Sequence, residues 1–300
     1  METESISIII PTFNRKKTLE LLLDQLIIQI DNCTLNVYLI VVVDGSNDGT
    51  IEMIKSKTTS IISVLGDGSW WFTKCLNEGC LKAKELKSKF IITLNDDCSV
   101  PENFIIQMYN TIKTLPQKSA LGAITIIKSN PYRVTFSGTS KFNQFRMKFH
   151  NYIDNRNEIA FNKLEGIYPS CSLMTRGMIV TMEDAEKIFF FDSINFPQYG
   201  SDEDFALRLR YSGVNLFVSW DIKIIDNPLL TSIGGSITKP NFARLFKSFF
   251  NKYSINSISK TIRFQWKHGH KLLLPINLIV FLLGTIYATQ LKYKNTSINK

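Results

Sequence analysis

The chain predicts an α/β protein: a nucleotide-binding sheet with helices on both faces, followed by a C-terminal helical, membrane-associating tail. Three observations lead there. Strand-like and helix-like stretches alternate over the first 127 residues, and each strand-like stretch ends in polar or glycine-containing sequence. Beyond Lys239 the chain mixes basic and apolar residues without a single Asp or Glu. With 300 residues, 44% hydrophobic and 20% charged, it has the composition of a folded protein with a substantial core, which excludes a disordered one.

In chain order, Ser5 to Ile10 is a short β-rich run ended by Pro11-Thr12-Phe13-Asn14-Arg15. Leu19, Leu22, Leu23, Leu26 and Ile27 then share one face of a helix. Asn36 to Val43 is near-continuously apolar, as expected of a parallel strand covered on both faces. It ends at Asp44-Gly45-Ser46-Asn47-Asp48-Gly49-Thr50, which either brings a carboxylate to a base or ribose or forms an ordinary turn and cap. Ile61 to Leu65 is the third strand, followed by Gly66-Asp67-Gly68-Ser69-Trp70-Trp71. Its glycines permit close backbone approach, and its tryptophans either wall a sugar or base or seal the sheet edge. A helix over residues 72–87 carries Lys74 near its start, where a cation and free amides can meet phosphate.

The strand Phe90 to Leu94 stops at Asn95-Asp96-Asp97. In an open parallel sheet such a strand end faces the ligand crevice, and paired acids there suit a hard divalent cation bridging phosphates. The same residues before Pro101 also suit a helix cap. A helix to Leu115 and a strand from Ala120 to Ile127 follow. Neither GxGxxG nor GxxxxGK[ST] occurs, which counts against dehydrogenases and P-loop NTPases.

Residues 130–162 read as aromatic, polar hairpins, and Glu165 to Met174 as a strand entering the core. Gly200-Ser201-Asp202-Glu203-Asp204 opens a helix; its acids either complement the helix dipole or supply a general base. The expected organisation is one domain over residues 1–235, with a nucleotide half (1–127) and an acceptor half (128–235), then a tail over 236–300. Cysteines 33, 75, 80, 98 and 171 lack CxxC spacing or a pairing pattern, which points to reduced thiols, a cytosolic catalytic face and no zinc. The acidic N-terminus runs straight into a strand and does not read as a signal peptide. Net charge is +9, and the basic tail suggests an anionic membrane surface over nucleic acid, for which no recognition module is present. Phe242, Leu245, Phe246, Phe249 and Phe250 recur at helical spacing beside Arg244 and Lys247. Residues 272–289, interrupted by Pro275 and Asn277, approach spanning length; an interfacial helix is the favoured reading, over a span or a helix docked on the protein.

The segments Ile8-Ile9-Ile10-Pro11-Thr12-Phe13-Asn14-Arg15, Val42-Val43-Asp44-Gly45-Ser46-Asn47-Asp48-Gly49-Thr50, Leu94-Asn95-Asp96-Asp97 and Ser201-Asp202-Glu203-Asp204-Phe205 with Arg208 together resemble family 2 glycosyltransferases, in order and spacing. Gly66-Asp67-Gly68 with Trp70, Trp71, Asn77 and Gly79 resembles members from bacterial polysaccharide gene clusters. The resemblance implies a GT-A fold, a UDP- or dTDP-linked sugar donor, Mg2+ or Mn2+, and inversion at the anomeric carbon. It implies that Asp44 meets the base, with Pro11, Thr12 and Asn14 lining the pocket, and that Asp97 binds the metal beside Asp96. Asn95 stands where many members have Asp. Gly66, Asp67, Trp70 and Trp71 fall on the donor side, with Lys74 beside the departing diphosphate. Asp202 matches the catalytic base and Glu203 is the alternative, because Ser201-Asp202-Glu203-Asp204 departs from the usual Glu-Asp-x-Asp. No histidine lies between His150 and His268 to serve as a further ligand, and Asp226 is the substitute. The implied acceptor is a glycan or lipid-linked glycan at the cytoplasmic face of the inner membrane. The rival readings are a nucleotidyltransferase and a non-catalytic sugar-nucleotide-binding subunit.

Overall fold

A computed structural model describes residues 4–57, 60–127, 132–154, 163–226 and 242–298. The first half alternates as expected: β1 (Ser5–Thr12), α1 (Lys16–Asp31), β2 (Asn36–Asp44), α2 (Thr50–Lys55), β3 (Ile61–Gly66), α3 (Trp71–Glu85) and β4 (Phe90–Thr93). Then come the short β5 (Cys98–Ser99), α4 (Phe104–Thr114) and β6 (Ser119–Ile127). β1 pairs in parallel with both β2 and β4, and β2 with β3, so the polar exits of β1, β2 and β4 fall on one edge. Alternate residues of β1 serve two cores. Ile6, Ile8 and Ile10 pack with Leu19, Leu22 and Leu26 of α1, whereas Ile9 packs with Leu76 and Cys80 of α3. That double burial is why these strands read as unbroken apolar runs. Gly79 lets α3 lie close on β1: a Cβ there would come within 2.3 Å of Ile9 Cγ2.

The excursion after β6 contains β7 (Arg133–Phe136) and a hairpin of β8 (Thr139–Asn143) and β9 (Lys148–Asn151). Residues 155–162, the end of the expected hairpin region, lie outside the described residues. Of the strand expected over Glu165 to Met174, only β10 (Ile167–Pro169) forms, and Ser170, Ser172 and Leu173 continue as buried irregular chain. β11 (Met178–Thr181) then inserts antiparallel between β4 and β6, a placement the sequence pattern did not announce. α5 (Met182–Lys187), α6 (Ser201–Tyr211) and β12 (Asn215–Asp226) complete the sheet, in the order β10-β12-β6-β11-β4-β1-β2-β3.

The C-terminal segment is not a single appendage. Among its described parts are α7 (Phe242–Phe250), α8 (Ile258–His268) and α9 (Leu274–Ile298). α8 is locked onto α6 through Asp204, which is fully buried. One oxygen lies 2.8 Å from His268 Nε2 and 2.7 Å from Lys267 Nζ; the other accepts from Arg208 Nε at 2.7 Å. Burial alone would raise the Asp204 carboxyl pKa, but the His268 hydrogen bond, Arg208 and Lys267 outweigh it and hold the group below its ordinary value. α9 accommodates Pro275 in its first turn, where no helical donor is needed, and Lys271–Leu291 has a mean hydropathy of 2.0 with none of it buried in the protein. It is long and apolar enough to cross a membrane.

Replacing Asp204 with Ala leaves the buried His268 Nε2 without its partner, while Lys267 keeps Asp192 and Arg208 keeps the Ile188 carbonyl. The expected loss is about 1–3 kcal/mol in denaturant unfolding, with α8 released as the first segment to lose amide-exchange protection.

Candidate functional site

The three polar exits of β1, β2 and β4 converge on a cleft of about 1130 Å³. At the end of β4, Asp96 and Asp97 are both buried. Arg15, at the end of the β1 exit, reaches across: its Nη1 lies 2.9 Å from Asp96 Oδ1 and 2.8 Å from Asp97 Oδ2. Burial pushes the Asp96 carboxyl up to about 6, against the pull of Arg15 and the Thr12 hydroxyl. The second oxygen of Asp97 and the side-chain oxygen of Asn95 are buried with no hydrogen-bond partner. Orphaned oxygens of this kind suit a hard cation. Among the described residues no group of three or more His, Cys, Asp or Glu is arranged to hold a metal. The side-chain oxygens here that could meet a cation are therefore those two, of Asp97 and Asn95. Asp226, at the end of β12, pairs in register with Cys98 and is engaged by Arg176. His268 is committed to Asp204.

Asp44, at the β2 exit, is buried and shapes the neighbouring loop. Its Oδ1 accepts from the Gly68 N–H at 2.8 Å, and its Oδ2 from Trp70 and Trp71 at 2.9 and 3.0 Å. Gly66 is required there, since a Cβ would sit 2.6 Å from Asp44 Oδ1. Asp67 closes a turn by accepting from the Ser69 N–H and hydroxyl. The two tryptophans divide the roles the sequence left open. Trp70 packs against the core with Lys74 Nζ 4.8 Å from its ring centre. Trp71 lines the cleft and stacks on Tyr253 at 3.8 Å with a 9° tilt. Its backbone adopts φ 60°, unusual for a bulky residue, under the hold of Asp44.

Across the cleft stands the start of α6. The half-buried Asp202 accepts from the Thr175 hydroxyl at 3.1 Å and the Thr175 N–H at 3.4 Å. Burial raises its pKa despite those donors. Burial and the adjacent Asp202 carboxylate raise Glu203. Lys260 of α8 packs its stem over Gly200, about where a Cβ would touch it at 3.6 Å, and its Nζ donates to the Ile255 carbonyl at 2.6 Å. Burial lowers its ammonium pKa, opposed by Glu203.

Of the residues expected from sequence, Pro11, Thr12, Asp44, Trp71, Asn95, Asp96, Asp97, Asp202 and Glu203 line one cleft. Asn14, Gly66, Asp67, Trp70 and Lys74 are not in its wall. Asn14 ties two exits together, accepting from the Asn47 N–H and donating its own to Ser46 Oγ. Lys74 lies over the Trp70 ring. The lining also holds five cations: Arg146, from the aromatic hairpin stretch where the sequence left substrate contact open, and Arg15, Lys148, Arg176 and Lys260, to which the sequence reading gave no site role. Arg15 stood inside a quoted motif; Lys260 was hidden in what read as a membrane tail.

The sequence profile of Glycosyl transferase family 2 matches residues 7–180. No curated protein matches the chain. Among solved structures the chain is similar to GalNAc-T7 with UDP, GalNAc and Mn2+, at TM-score 0.58 and 12% identity, covering 91% of this chain and 56% of that one. It is also similar to mannosyltransferase PcManGT from Pyrobaculum calidifontis with GDP-Man and Mn2+, at TM-score 0.56 and 12% identity, covering 99% and 74%. Residues 1–349 of S. aureus TarS with UDP-GlcNAc align at TM-score 0.53 and 14% identity, covering 93% and 71%. At these identities the likeness is one of fold, and the chain spans little more than half the length of the first.

Asp44→Asn turns one acceptor oxygen into a donor facing backbone N–H groups. It is expected to destabilise the protein by about 1–3 kcal/mol and to disturb the Trp71–Tyr253 stack, read as a shift in tryptophan emission.

Proposed function

The chain belongs to glycosyl transferase family 2, and on that premise we propose that it moves a sugar from a nucleoside-diphosphate donor to a hydroxyl of a glycan or lipid-linked acceptor, with inversion. The observation that carries this is the pairing, in one cleft, of a buried Asp97 oxygen without a partner and a carboxylate, Asp202, whose pKa is raised.

Inverting transfer needs a base on the acceptor side and charge neutralisation on the leaving-group side. Asp202, oriented by Thr175, takes the acceptor hydroxyl proton. Asp97, with Asn95 beside it, would hold Mg2+ or Mn2+; the structures of similar fold that carry Mn2+ support that choice. When bound, the ion neutralises the departing diphosphate. Arg15 fixes Asp97 so that its free oxygen remains available. Pro11, Thr12 and the loop held by Asp44 form the nucleotide pocket, for a uridine or thymidine diphosphate, and Trp71 is the wall for the sugar. Lys74 supports Trp70 beneath the donor loop. The exposed apolar faces of α7 and α9 and the five unpaired cysteines support a reading in which the enzyme works at the cytoplasmic face of a membrane.

Calorimetric titration with UDP, dTDP, GDP and ADP, with and without Mn2+, should give metal-dependent binding of a pyrimidine diphosphate that is lost in Asp97→Ala. Binding of none of them would sink the donor site. Asp202→Asn should lower transfer by about 10²–10⁴-fold with nucleotide binding intact; unchanged transfer would remove Asp202 as the base. A base must be ionised, so kcat/KM should fall as pH drops through the raised pKa of Asp202. Glu203→Gln removes a neighbouring negative charge and should move that acid limb to lower pH.

A further inference from the structure

We propose that the acceptor is carried on a lipid phosphate, and that Arg146 and Lys148 hold this phosphate where the cleft meets the membrane-facing helix. The proposal rests on the glycosyl-transfer reading and specifies its acceptor.

The tip of the β8–β9 hairpin is fastened to the root of α9. Asn277 Nδ2 donates to the Phe145 carbonyl at 2.7 Å, the His270 N–H donates to the Gln144 carbonyl at 3.3 Å, and the Phe145 and His270 rings lie 5.6 Å apart. Arg146 and Lys148 are therefore held at the junction between hairpin and helix, and both line the cleft together with Val280 and Phe281 of α9. The same wall continues out of the cleft along α9, where Val280 is 63% exposed and Ile276, Ile279 and Leu283 are similarly open. One continuous surface thus runs from Asp202 past two cations onto an apolar helix.

Among the described residues neither Arg146 nor Lys148 meets a carboxylate, and both are exposed. A neutral glycan acceptor gives such a pair nothing to neutralise. The donor diphosphate belongs beside Asp97, where Arg15 already balances the acids. Lys260, deeper in the cleft, donates to Ile255 and faces Glu203, so it is not the phosphate ligand. What fits the remaining cations is an anion joined to an apolar chain. The bilayer supplies that chain: α7 exposes Phe246 (64%) and Phe250 (71%) beside Arg244 and Lys247, and residues 227–300 contain no acid. Such a surface matches an anionic membrane.

The test is flotation of the full-length protein with three vesicle types: phosphatidylcholine alone, phosphatidylcholine with phosphatidylglycerol, and phosphatidylcholine with a polyprenyl phosphate at matched charge. The wild type should favour the polyprenyl phosphate vesicles over the phosphatidylglycerol ones. The double variant Arg146→Ala, Lys148→Ala should lose about tenfold or more on the polyprenyl phosphate vesicles only, keeping its phosphatidylcholine binding. The charge-preserving pair Arg146→Lys, Lys148→Arg should retain binding, which separates lost charge from lost folding. Equal loss on both anionic vesicle types would reduce the pair to general surface electrostatics and overturn the proposal. So would no loss at all, or displacement of the protein from polyprenyl phosphate vesicles by equimolar inorganic phosphate, which would mark a site for free phosphate. Nucleotide-diphosphate binding, measured alongside, distinguishes this failure from failure of the glycosyl-transfer reading.

Discussion

Two adjacent carboxylates cannot be buried at the end of an apolar strand unless a cation joins them, and Arg15 is that cation. Much of the site's placement follows. Arg15 comes from the exit of β1 and the acids from the exit of β4, which are neighbours because the two strands pair in parallel. The guanidinium takes one oxygen from each acid and leaves the second oxygen of Asp97 without a protein partner. The clamp thus balances the charge of the pair while keeping one ligand position open.

The same economy appears at two more buried acids. Asp44 satisfies three backbone N–H groups and so bends the Gly66–Trp71 loop over the cleft. Asp204 gathers Arg208, Lys267 and His268 and so joins α8 to α6. In the motif Ser201-Asp202-Glu203-Asp204 the helix period decides which acid does what. Asp204 faces the protein and is consumed by packing, whereas Asp202 and Glu203 remain on the cleft wall.

The parallel half of the sheet was legible because local pattern and burial agree there. Continuous apolar runs mark β1, β2 and β4, and their polar ends mark the cleft. Asp97 and Asp202 meeting across it also followed from the motifs. What the sequence could not reveal depends on contacts between distant residues. β11 is four residues long and has no periodicity of its own; its place is set by the partners on either side. Trp70 and Trp71 look equivalent in sequence, yet one packs inward and the other stacks on Tyr253, 182 positions later. Lys74 sits near a helix start but leans on an aromatic ring. α8 looked like part of a basic tail because the buried partner of Lys267 and His268 lies some 64 residues upstream.

The stack of Trp71 on Tyr253 has a practical side. The apolar C-terminal end invites removal by anyone wishing to handle the protein without detergent. A cut before α7 would take away Tyr253, Lys260 and Phe264 together with the exposed apolar surface, stripping one wall from the cleft and exposing the buried charge of Asp204. Shortening that spares the site has to begin beyond Phe281, within α9 itself. Even there, it trades away the apolar track along which the acceptor is proposed to arrive.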